Sequence, residues 1–144
     1  MMNMQYSLEN IEITMPKLKS EKNVRIGRNN KRKGAARELL VKSQLEAQGW
    51  CVTKAGGSLG VFDLIGIHPD VNVCLLIQVK SNHKPIPKER DRILAFLVPN
   101  YCQKLIWIIK DRKPREPEIY HCDKTLTPIW HGYYLTKKVN WDLK

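Results

Sequence analysis

An acid, an amide and an amine stand at matching places in two adjacent apolar runs. Asp63 lies in residues 61–67, and Gln78 and Lys80 close residues 73–80. Strands alternate their side chains between faces. Asp63 therefore shares a face with Val61, Ile65 and Ile67, and Gln78 and Lys80 share one with Cys74 and Leu76. If the two runs pair as a hairpin, the three polar groups converge at one end of a sheet. A second carboxylate, Glu38, lies upstream in a helix-like stretch. Such a grouping suits a hard divalent cation with a water and a phosphate beside it.

The elements that must position these groups are legible in outline. Gly34 opens a helix reaching about Gln48, with Gly49 as its stop. Ala36, Leu39, Leu40 and Ala47 form one apolar stripe on it. Val41 and Leu45 form another near the opposite side, and Glu38 projects along with them. A carboxylate in line with an apolar stripe needs a partner or an exposed edge. A strand over residues 50–54 follows, then a loop from Ala55 to Gly60 containing Gly56, Gly57 and Ser58. The 61–67 strand, a turn at 68–72 and the 73–80 strand come next. The last is apolar almost continuously through Ile77, as in a central strand covered on both faces. A helix over 88–97 ends before Pro99, and strands at 105–109 and 118–121 flank a charged, proline-rich turn. Helix, three strands, helix and two strands imply a three-layer α/β core, a central mixed β-sheet flanked by helices.

Length and charge narrow the class. The chain has 144 residues, enough for one ordinary domain with its own core. Its 25 Lys and Arg against 14 Asp and Glu give a formal charge of +11. That excess favours a polyanion through long-range attraction and counterion release. Eight basic residues and one acid crowd positions 17–33, which read as a mobile basic arm at 1–30 ahead of a core at 31–122. Residues 123–144 hold Trp130, Tyr133, Tyr134 and Trp141 without clear periodicity, and read as a packing or dimer-forming extension. Leu8, Ile11 and Ile13 have no clear assignment. Cys51, Cys74, Cys102 and Cys122 show no close-paired spacing; Cys51 and Cys74 are expected in buried strands, as reduced thiols of a cytoplasmic protein. No apolar run is long enough to span a membrane, and no signal peptide is evident.

Three stretches, KGAARELL, KAGGSLGVFDLIGI and CLLIQVKSN, together resemble the PD-(D/E)XK nuclease superfamily, most closely the archaeal-type Holliday junction resolvases. Lys33-Gly34 followed by Glu38 matches the family's first helix. Gly57, Ser58 and Asp63 match its small-residue loop and metal-binding aspartate, and Gln78-Val79-Lys80 matches its acid-x-Lys except at the first position. The resemblance covers roughly residues 33–82, and more loosely those to about 122. It implies a restriction-endonuclease-like core and an endonuclease for branched DNA, a homodimer with two opposed sites.

By the same resemblance Asp63, the Gln78 side chain and the Val79 carbonyl would hold Mg²⁺, with Mn²⁺ able to substitute, and Glu38 would complete the set. Lys80 would orient or deprotonate the attacking water and stabilise developing negative charge. Ser58 would bond a phosphate or simply close its turn, and Lys31, Arg32, Lys33 and Arg37 would track the DNA backbone. Gln78 departs from the pattern. An amide oxygen ligates magnesium without formal charge, and a unit charge pair about 4 Å apart is worth roughly 4 kcal/mol at an effective dielectric near 20, before desolvation. Two alternatives stay open on the same fold: another nuclease (restriction-like, single-strand or repair), and a non-catalytic DNA-binding protein.

Overall fold

Alternation along two neighbouring strands builds the centre of the molecule. In the computed structural model, which describes residues 21–57 and 59–135, β3 (Val71–Ser81) and β4 (Cys102–Ile109) run parallel. Leu75, Ile77, Leu105, Trp107 and Ile109 point to one core, and Leu76, Ile106 and Ile108 to another. Both faces are covered, so both strands are apolar nearly throughout.

The remaining strands extend the sheet outward by antiparallel pairing. They are β1 (Cys51–Lys54), β2 (Leu64–His68), β5 (Glu118–Cys122) and β6 (Leu126–Ile129), and the sheet order is β1-β2-β3-β4-β5-β6. Helix α1 (Glu21–Glu46) contributes Val41 and Leu45 to the first core, and α2 (Pro87–Ala95) contributes Ile93 to the second. The result is the three-layer α/β arrangement with a mixed central sheet. A short α3 (Gly132–Leu135) adds Tyr134, fully buried against Trp107.

The chain divides into two units, Met1–Lys33 and Gly34–Lys144. Of the first, the described part is the beginning of α1, where Arg28, Lys31, Arg32 and Lys33 are exposed. The second holds the sheet, both cores and α2.

Several boundaries and faces differ from expectation. Gly34 lies inside α1 rather than opening it, because the Lys and Arg residues before it are good helix formers even without an apolar period. The described part of the expected basic arm is therefore helical from Glu21; residues 1–20, with Leu8, Ile11 and Ile13, lie outside the described residues. Of the two apolar stripes, Val41 and Leu45 are the buried one, whereas Ala36, Leu39 and Ala47 are exposed. Cys51 is exposed because it falls on the outward side of β1, opposite buried Val52. Gly49 does stop the helix: its φ is +94, and a Cβ there would meet His68 Nε2 at 2.8 Å.

The C-terminal end of α2 is secured from the sheet. Lys104 is buried in β4, and its ammonium donates to the carbonyls of Ile93 at 2.7 Å, Leu94 at 3.0 Å and Phe96 at 2.8 Å. Carbonyls that end a helix lack intrahelical partners; here the Phe96 N–H returns to Ile93 and the cation bonds all three carbonyls.

Candidate active site

The register of β2 against β3 fixes the first pair. Leu64 faces Ile77, and the Asp63 amide donates to the Ile77 carbonyl at 2.8 Å, which sets Asp63 across from Gln78. The Asp63 carbonyl also accepts from the Ala55 amide at 2.8 Å, so its backbone is clamped between the end of β1 and β3. Its carboxylate turns toward β3, where Oδ2 accepts the Val79 N–H at 2.8 Å.

Gln78 is buried at 8% exposure, and its Oε1 has no hydrogen-bond partner. An unmet buried acceptor costs about 1–3 kcal/mol, so an amide oxygen left this way is one awaiting a ligand or a water. Two residues on, Lys80 shares the face of Gln78. Its Nζ lies 3.0 Å from Glu89 Oε1 of α2, and both side chains are about two-thirds buried.

Two carboxylates act on one another here. The Glu38 carboxyl is pushed up, first by burial and then by the charge of Asp63, while Lys54, 3.8 Å away, draws it down. The Asp63 carboxyl is also raised. Burial is the main cause and Glu89 adds to it, against the Val79 N–H and Lys80. Glu38 stands on the helix over one face of the sheet and Glu89 on the helix over the other, so Asp63 is set between acids from both outer layers.

Among the described residues, no three His, Cys, Asp or Glu side chains gather closely enough to hold a metal by themselves. The donors that do fit a hard cation are the two mutually repelling carboxylates and the unmet Gln78 oxygen. All are oxygens, as Mg²⁺ and Mn²⁺ require.

No protein-family model matches the chain, and no curated protein matches it in sequence. Solved structures do match. Hjc from Archaeoglobus fulgidus, a Holliday junction resolvase from an archaeal hyperthermophile, aligns with a TM-score of 0.51 and 14% identity, over 71% of this chain and 87% of its own. The chain shares the mixed-sheet α/β fold of that protein. At that identity the likeness to Hjc is one of architecture.

Within this fold the expected phosphate contacts fare differently. Lys31, Arg32 and Lys33 are exposed on α1. Arg37 is not: its guanidinium bonds Ser81 Oγ at 3.1 Å and pairs with Asp111, whose other oxygen accepts from Asn82 at 3.1 Å. It therefore fastens α1 to the ends of β3 and β4. Ser58 lies outside the described residues. Glu89 carries no motif of its own. The sequence hints at it only through Pro87, which marks a helix start and so places an acid in the first turn.

Proposed function

We propose that the chain is a divalent-metal-dependent DNA endonuclease that cuts branched DNA such as four-way junctions, working as a homodimer. The observation that carries this reading is the unmet Oε1 of Gln78, in register with Asp63, which in turn shares its field with Glu38. Glu38, Asp63, Gln78 and the Val79 carbonyl would hold Mg²⁺, or Mn²⁺ in its place.

The ion, when bound, supplies charge relief at the phosphate and a lowered pKa for an attacking water. The chain's own residues do the rest. The Val79 N–H orients the Asp63 carboxylate, and the Lys80 ammonium, held by Glu89, would stabilise negative charge developing on the phosphate. Lys31, Arg32 and Lys33 on α1, together with Ser58, would bear on phosphates. Arg37 acts as a brace instead. The protein would work in the cytoplasm, where its free cysteines stay reduced.

The deciding experiment is a cleavage panel of junction, flap, duplex and single-stranded DNA, run with Mg²⁺, with Mn²⁺ and with chelator. Metal-dependent cutting is expected, with the junction cut fastest. Preference for another substrate would shift the reading to a different nuclease. Tight, salt-sensitive binding without cutting in either metal would leave a non-catalytic DNA-binding protein.

The electrostatics give a second test. Asp63 and Glu38 both have raised pKa values in the folded chain, so the folded state keeps protons that the unfolded chain releases. Their contribution to stability is complete below the ordinary carboxylate range and is lost as pH rises through the raised values. Asp63→Asn removes one buried charge yet keeps an oxygen for the Val79 N–H. It should raise the melting temperature by a few degrees near about pH 7, an advantage that fades toward about pH 4. Mg²⁺ should then raise the melting temperature of the wild type and not that of the variant. Thermal melts across pH, with and without the ion, check both points; a variant that melts lower than wild type at neutral pH would contradict the first.

A further inference from the structure

Gln78 leaves the acid-x-Lys position without its acid, and the helix connecting β3 to β4 brings a carboxylate to the same neighbourhood. Glu89 lies in the first turn of α2, 3.0 Å from Lys80 Nζ. The helix that carries it is fixed at three points: Pro87 at its start, Ile93 buried in the core, and the Lys104 ammonium on its last carbonyls.

The charge balance gives Glu89 its importance. Glu38 and Asp63 are anionic, while Lys54 and Lys80 beside them are cationic. Those four groups cancel, and a neutral cluster has little hold on a divalent cation. With Glu89 included the cluster carries a net negative charge.

On the basis of the nuclease reading above, we propose that Glu89 is a positioning residue of the site that stands in, from the helix, for the anionic charge absent at Gln78. It holds the Lys80 ammonium in place and offsets its charge, so that the oxygens of Asp63, Glu38 and Gln78 can keep a divalent cation. Glu89 need not touch the ion to do so.

Mn²⁺ alone, titrated into the full-length protein without DNA and followed by electron paramagnetic resonance, tests this directly. Glu89→Gln should weaken Mn²⁺ binding about tenfold, the order expected for one unit charge acting on a divalent ion through a partly solvated medium. Glu89→Asp should keep most of the affinity. The double variant Gln78→Glu with Glu89→Gln should return close to wild type, since the charge is restored at the strand. A merely structural ion pair would change melting behaviour and leave Mn²⁺ affinity alone. Unchanged affinity in Glu89→Gln, or no recovery in the double variant, would overturn the inference. If that happens while the wild type still cuts junctions, only the role of Glu89 falls. Wild-type protein that neither binds Mn²⁺ nor cuts any DNA would remove the nuclease reading and this inference together.

Discussion

Asp63→Ala and Lys80→Ala are each expected to slow junction cleavage by about 10²–10⁴-fold, the range attached to losing a catalytic acid, base or electrostatic stabiliser. Asp63 joins the three strands at the site through its amide and carbonyl, and its carboxylate is oriented by the Val79 N–H. Alanine keeps the backbone bonds and removes only the oxygens, so the loss should be chemical rather than structural. DNA binding, measured in chelator, should hardly change. Affinity for a polyanion comes from the summed positive charge, and Lys80 is one of 25 basic residues. Wild-type cleavage rates in both purified variants would remove Asp63 and Lys80 from the chemistry.

Lys104→Met should produce the largest loss of stability. Methionine keeps the length of the side chain in the core but supplies no donor, so the carbonyls of Ile93, Leu94 and Phe96 lose a shared cation. The Ile93 carbonyl keeps the Phe96 N–H, and stranding the other two costs on the order of 3 kcal/mol. Urea midpoints would read the loss directly. Because α2 carries Glu89, the variant should also loosen Lys80 and lower cleavage beyond any effect of unfolding. A midpoint equal to wild type would mean that water replaces the ammonium at the helix end.

Much of this architecture is local enough to be written in the chain. The 61–67 and 73–80 runs read as neighbouring strands, and pairing them as a hairpin brings Asp63 beside Gln78, although β2 itself begins only at Leu64 and Asp63 stands just before it. The stripe of Val41 and Leu45 places Glu38 on the inward edge of its helix. What the chain hides is long-range. Arg37 has the look of a phosphate ligand, yet it is spent on Ser81 and Asp111, which no periodicity brings near it. Glu89 is an ordinary helix-start acid until the crossover places it on Lys80. Strand β6 is obscured by Pro128, which a strand tolerates only at a sheet edge, and β6 is an edge in the observed order. Tyr134 finds Trp107 through tertiary packing alone. The basic stretch before Gly34 shows that helix formation does not need an apolar stripe.

The single parallel pairing among the described strands also bears on how the molecule comes into being. β1 to β3 and β4 to β6 are two meanders closed by short connections, and only the contact of β3 with β4 requires a long detour of the chain through α2. Closing that detour costs more chain entropy than closing either meander, which favours forming the halves before the seam between them. Pulse-labelled amide exchange during refolding should therefore protect the β2–β3 amides earlier than those bonded across the seam; simultaneous protection would argue for one concerted event. A growing polypeptide would then align Asp63 with Gln78 while Lys80 still lacks its counterpart, and the proposed site would be completed only with the last docking step.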